Sequence, residues 1–136
     1  MDKCLFCRII ENEIPSYTVY EDKHTRAFLD IYPSVPGHTV VILKKHGWTI
    51  LDHTPEELSH LLATAQKVVR ALTIVYKTEV FTLGINHKEE QGVHHLHIHV
   101  LPRFSDDEGG VIQSIVEKNV KEPLPEIAEK IKKAML

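Results

Sequence analysis

The segment His95-Leu96-His97-Ile98-His99-Val100-Leu101 holds the densest chemistry in this chain. There are ten histidines in all, and His87, His94, His95, His97 and His99 crowd into one short stretch. Polar and apolar residues alternate at period two. In a strand, the three imidazoles would therefore share one face and the aliphatics the other. Neighbouring imidazoles would be rooted roughly 6.6 Å apart and the outer two about 13 Å apart. A His-x-His pair can chelate one metal ion. Three in a row on a straight strand do not converge easily on one tetrahedral centre, and they suit an elongated anion better, such as the phosphates of a nucleotide. A polar sheet face with structural histidines is the bland alternative, but three imidazoles are costly to bury without a role. A second cluster lies near the N-terminus. Cys4-x-x-Cys7 is half of a zinc site and needs two more ligands. A thioredoxin-type redox pair fits less well, because no βαβ pattern surrounds it.

Several elements must position these groups. Thr54-Pro55-Glu56-Glu57 reads as a capping box with proline at the first helical position. Leu58, Leu61, Leu62, Ala65, Val68, Val69 and Leu72 then follow the 3.6-residue period, which predicts one long amphipathic helix ending near Tyr76. A short helix is expected over 6–12, stopped before Pro15. Strands are expected at 17–20 and 26–29, joined by a turn, and at 38–43, where β-branched and apolar residues predominate. Phe81, Leu83 and Ile85 alternate with polar or small residues, and 95–101 is the histidine strand, stopped by Pro102. Residues 105–110 read as a solvated acidic loop. A last helix opens at Pro125 with Ile127, Ile131 and Met135 inward. Strands in runs around a lone long helix indicate an α+β fold with an antiparallel sheet.

Composition bounds what this machinery can serve. The chain has 136 residues, 43% hydrophobic and 26% charged, which is ordinary for one globular unit and excludes a disordered or collagen-like chain. One domain over 1–136 is expected, with a core over 1–103 and a C-terminal loop and helix over 104–136. The net charge of −3 does not favour a nucleic-acid polymer. The run Val40-Val41-Ile42-Leu43 is far too short for a membrane span of about 20 residues. The first residues show no secretory h-region. With only two cysteines, a cytoplasmic location is expected.

His95-Leu96-His97-Ile98-His99-Val100-Leu101, followed by Pro102-Arg103, resembles the signature of the histidine triad (HIT) superfamily. Asp30, Pro33 and the stretch Pro36-Gly37-His38-Thr39-Val40-Val41-Ile42-Leu43-Lys44-Lys45-His46 resemble its ribose-binding strand and loop. Gly84-Ile85-Asn86 and Gln91-Gly92-Val93 resemble its phosphate-side segment, and Cys4-Leu5-Phe6-Cys7 resembles the start of many bacterial members. The likeness covers roughly residues 4 to 103. It implies a five-stranded antiparallel sheet with one long helix and shorter N- and C-terminal helices, and a homodimer whose sheets join. It also implies a nucleotide hydrolase or transferase acting at the α-phosphate of AMP- or GMP-linked substrates.

The resemblance assigns roles residue by residue. His97 would attack phosphorus, His99 would hold phosphate oxygens, and His38 would donate to the triad or the α-phosphate. Asp30 would accept from ribose hydroxyls, and Asn86, Gln91, Gly92 and Val93 would line the phosphate side. Phe6, Ile10 and Phe28 are candidates for the base. Related uridylyltransferases and some bacterial triad proteins complete a CxxC zinc site with the first triad histidine and one upstream histidine. Those positions correspond to His95 and His46 and imply a structural zinc. The chain departs from the family pattern at Gly92, where many members carry Ser or Thr, and at His87-Lys88-Glu89-Glu90, where Gly/Ala-rich residues are usual. Two rival readings stand beside the enzyme. One is a nucleotide- or zinc-binding interaction module with little turnover. The other is a His-x-His metallohydrolase, which lacks a further acidic ligand soon after the histidines.

Overall fold

Thr54 and Pro55 start the helix that covers one whole face of the fold. In the computed structural model, which describes residues 4–135, helix α2 (Pro55–Tyr76) is capped by the Thr54 side chain, which accepts from the Glu57 N–H at 3.1 Å. Only half of the expected capping box forms, because the Glu57 carboxylate turns to Lys45 at 3.0 Å and His53 at 2.9 Å. Leu61, Thr64, Ala65, Val68 and Leu72 form the buried stripe. Leu62, expected in that stripe, is 59% exposed at its margin. The helix ends on Lys77 in the left-handed region, whose N–H bonds Thr73 O, a helix stop common for glycine and rarer for lysine.

The sheet comprises β1 (Thr18–Glu21), β2 (Thr25–Leu29), β3 (Thr39–Leu43), β4 (Phe81–Gly84) and β5 (His97–Pro102), in the order β1-β2-β3-β5-β4. Every neighbouring pair is antiparallel. With the helices α1 (Leu5–Ile10), α2 and α3 (Leu124–Ala134), this is the expected α+β architecture. Central β3 is buried at every residue, which is why it reads as a continuous apolar run. Its odd positions, Val41 and Leu43, join Ala27, Ile98 and Val100 against α2. Its even positions, Val40 and Ile42, join Phe28 and the α1 residues Phe6 and Ile9 on the opposite face. Each such aliphatic side chain, fully buried, contributes about 1.5–3 kcal/mol. In register, Val40 faces His99 and Ile42 faces His97, so both histidines belong to the α1 face.

Three expectations need correction. Strand β5 begins at His97 rather than His95, because the Leu96 N–H is drawn to Gly47 O at 2.7 Å and the His95 N–H to Val93 O at 2.8 Å. Ile131 and Met135 of the last helix are not inward: they are 56% and 79% exposed, and only Ile127 is half-buried. The acidic loop is not wholly solvated, since Asp107 takes a two-pronged ion pair from Arg103 at 2.8 and 3.1 Å and accepts from Phe104 and Gly109 N–H. The Arg103 guanidinium holds that carboxyl well below the usual range. His53 bonds the Glu57 carboxylate four residues on at 2.9 Å, and its side chain is enclosed. Among the described residues, no helix is long and apolar enough to cross a membrane.

Arg26 holds α1 to the sheet. It is only 8% exposed, and its guanidinium donates to Ile9 O at 2.7 Å, Asn12 Oδ1 at 3.0 Å and Thr18 Oγ1 at 3.0 Å. A cation thus satisfies a carbonyl at the C-terminal end of α1, where the helix dipole favours it. Arg26→Ala is expected to lower the unfolding free energy by about 2 kcal/mol or more, since buried acceptors lose a charged donor. Urea denaturation followed by Trp48 fluorescence measures this. An unchanged midpoint would mean that apolar packing alone seats α1.

Candidate active site

Three imidazoles on the α1 face have partners that fix where their protons sit. His38, just before β3, accepts the Ser34 N–H on Nδ1 at 3.0 Å, so its proton is on Nε2. From there it donates to His99 Nδ1 at 2.9 Å, with Asp30 Oδ2 3.5 Å from the same nitrogen. The proton of neutral His99 is then on Nε2. His97 Nδ1 lies 2.6 Å from His95 O. A carbonyl only accepts, so Nδ1 carries the proton, and neutral His97 keeps its lone pair on Nε2. Burial lowers the pKa of His38, opposed by Asp30. Burial, then His97 and His38, lower that of His99. Both are therefore neutral at pH 7.

His97 and His99 border a cleft of about 460 Å³. Phe6, Ile9, Ile14, Phe28 and Val40 give it an apolar wall, while Asp30, Glu89, Gln91, His97 and His99 supply polar groups. The edge of Phe6 meets Phe28 at 5.3 Å and His97 at 5.1 Å between ring centroids. Asp30 anchors its own turn by accepting the Tyr32 N–H at 2.9 Å. Of the residues expected on the nucleotide side, Asp30, Gln91, Gly92, Val93 and His99 line the cleft. Asn86 is exposed just past β4 and does not line it. Ile9 lines the wall where Ile10 was expected. Glu89 had no assigned role in the sequence, yet its Oε1 lies 3.6 Å from His97 Nε2. The charged run at 87–90 was its only signal.

A second constellation adjoins the first. Cys4 Sγ, Cys7 Sγ, His46 Nδ1 and His95 Nδ1 are mutually 3.1–3.6 Å apart. A tetrahedral zinc with bonds of about 2.0–2.3 Å sets its ligand atoms roughly 3.3–3.8 Å apart, so the donor set fits that ion. His95 Nε2 donates to Leu43 O at 2.7 Å, which frees Nδ1 as a lone pair toward the cage. Burial pushes the His95 pKa down to about 4, with His46 and His97 adding to it and the Leu43 bond opposing it. Burial, then the Cys4 thiol, pushes Cys7 up to about 11, so an incoming metal must displace protons. Asp30, His38 and His99 also approach one another, but their closest contact is the His38–His99 hydrogen bond itself. His97 belongs to neither group, which leaves its Nε2 free of any potential ligand set among the described residues.

Comparison with known proteins agrees with this geometry. The HIT domain family matches residues 11–106, a span that includes the imidazoles, His46 and Glu89 but not Cys4 and Cys7. The crystal structure of SMU.412c from Streptococcus mutans superposes with a TM-score of 0.86 at 37% identity, covering 100% of this chain and 87% of that one. A Zn-bound histidine triad family protein from Mycobacterium smegmatis gives a TM-score of 0.73 at 34% identity over 78% of each chain. The adenosine 5'-monophosphoramidase of Saccharomyces cerevisiae is 36% identical over 110 residues, 80% of this chain and 67% of that protein. The imidazole row on β5, the sheet that carries it and the span of the family match place this chain in the HIT domain family.

Proposed function

We propose that this protein is a nucleotide hydrolase or transferase acting at the α-phosphate of AMP- or GMP-linked substrates, among them phosphoramidates, dinucleoside polyphosphates and adenylates. The observation that carries this reading is the His97 Nδ1–H bond to His95 O, which leaves a lone pair on Nε2 beside an apolar cleft. The phosphoramidase activity of the yeast relative supports it.

The base packs between Phe6, Ile9 and Phe28, and Asp30 accepts from the ribose. His97 Nε2 attacks the α-phosphorus, forming a nucleotidyl-histidine that water then cleaves. His99 Nε2–H donates to an α-phosphate oxygen, backed by the proton that His38 gives to its Nδ1. Gln91, Gly92 and Val93 flank the phosphate side. Asn86, which follows the His99-paired Gly84 by one strand repeat, offers an amide to the outer part of the substrate. Two chains pair as a homodimer, for which the shallow groove of Leu62, Ala65, Val69 and Leu83 beside β4 offers an apolar seat. The protein works in the cytoplasm.

Cys4, Cys7, His46 and His95 would hold zinc, whose role there would be structural: it would tie the N-terminal segment to the strand that bears the nucleophile. The zinc of the M. smegmatis relative supports this. Protein purified without added metal is expected to contain about one zinc per chain. Removing it should lower the thermal midpoint, and retention should weaken as pH falls, because both thiols regain protons. Elemental analysis decides it. Metal well below stoichiometry, unchanged by Cys4→Ser, rejects the site.

His97→Ala is expected to reduce turnover of a fluorogenic AMP ester by on the order of 10³-fold or more, while AMP binding largely persists through Asp30, Gln91 and His99. His99→Ala should weaken both. Rapid-quench mass spectrometry should find AMP on His97 in the native enzyme. Comparable turnover by His97→Ala, or activity lost to a chelator in folded protein and restored by metal, would contradict the assignment.

A further inference from the structure

Gly92 and Glu89 share one site. A Cβ placed on Gly92 would coincide with the Glu89 carboxylate, meeting Oε1, Cδ and Cγ. The carboxylate therefore lies where any other residue at 92 would put its side chain, and that position is 3.6 Å from His97 Nε2 and inside the cleft. The turn that aims it is anchored on both sides. Lys88, at φ 58, sets its ammonium over the Trp48 ring at 5.8 Å. The His94 ring packs on Trp48 at 4.2 Å and its Nε2 bonds Glu90 O at 3.1 Å. Glu89 is thus a directed group held between pinned neighbours.

The geometry points to Glu89 as the acid–base partner of His97, the residue that protonates the leaving group and then deprotonates the attacking water. This rests on the nucleotidyl-histidine reading above. In this scheme Glu89 enters the first step carrying a proton, while His97 keeps its own proton on Nδ1 and presents the Nε2 lone pair to phosphorus. In the first step the Nε2–P bond forms and the bond from phosphorus to the leaving atom breaks. The electron pair departs with that atom, which takes the proton from Glu89. In the second step a water oxygen bonds phosphorus and gives its proton to the Glu89 carboxylate, while the P–Nε2 pair returns to His97. The sum is water plus substrate giving the nucleotide and the protonated leaving group. The separation of 3.6 Å is long for a hydrogen bond, as catalytic contacts often are before substrate binds. The contribution is largest for amines, which leave poorly without a proton.

Glu89→Gln and Gly92→Ala test this together, the second because its methyl group evicts the carboxylate without altering Glu89. Each is assayed on an alkyl phosphoramidate of AMP and on the p-nitrophenyl ester of AMP, whose leaving group needs no proton. Both variants should lose on the order of 10²-fold in phosphoramidate turnover, while in Glu89→Gln the nitrophenol burst that reports adduct formation stays within about threefold of native. Phosphoramidate turnover unchanged in Glu89→Gln overturns the proposal, as does a loss of the nitrophenol burst equal to the loss on the phosphoramidate. A gain on both would make the carboxylate an obstacle to substrate and equally overturns it. Absence of a burst and adduct in the native enzyme would instead strike at the nucleotidyl-histidine itself.

Discussion

His95 is the residue on which the site turns. Three of its polar groups serve three different elements at once. Nδ1 faces the thiols of Cys4 and Cys7, Nε2 donates to Leu43 O at the end of β3, and the carbonyl takes the proton of His97. The ring is only 1% exposed, so none of these bonds is shared with bulk water, and losing one would leave a buried polar atom unpaired. The orientation of His97 is therefore coupled to the N-terminal segment through a single buried residue, its carbonyl toward His97 and its ring toward the thiols. A zinc ion in the cage would stiffen that coupling without approaching the phosphate.

The sheet makes the arrangement affordable. Because β3 is buried on both faces, it can give Val41 and Leu43 to the α2 core while Val40 and Ile42 floor the opposite layer. That second layer is thin: one turn and a half of α1, held by Phe6, Ile9 and the Arg26 guanidinium. A thin layer leaves a cleft beside the imidazoles, and the cleft needs a firm base. Thr25 and Thr64 give that base a buried hydrogen bond of 2.6 Å between β2 and α2, in addition to the aliphatic contacts. The α2 face supplies rigidity and the α1 face supplies chemistry.

Much of this was legible locally. Period two put His97 and His99 on one face, and Thr54 with Pro55 marked the start of α2. Where the sequence misled, a distant partner had overridden a local pattern. His95 continues the alternation in sequence but leaves the strand because Leu96 pairs with Gly47, some fifty residues earlier. Arg26 sits at a position of ordinary strand pattern, and nothing nearby signals that it satisfies α1 carbonyls. Glu89 stood in the sequence only as part of the charged run at 87–90, and its place over Gly92 depends on how the turn lies against Trp48. The amphipathic pattern of α3 is real, yet its apolar residues remain largely exposed in this chain. The candidate zinc ligands at positions 4, 7, 46 and 95 come together only through the fold; the Cys-x-x-Cys half was visible, and the rest came from resemblance.

The His95 carbonyl fixes the tautomer of His97, so that Nε2, and only Nε2, has a lone pair to offer phosphorus in the proposed reaction. The regiochemistry of a trapped nucleotidyl-enzyme tests this. Enzyme labelled with ¹⁵N in its histidine rings would be mixed with an AMP ester and quenched in alkaline denaturant, where phosphorus–nitrogen bonds survive, and the ³¹P–¹⁵N coupling read by NMR. Phosphorus coupled to Nε2 of His97 is the predicted result. Phosphorus on Nδ1 of His97, or on any other histidine, would contradict it.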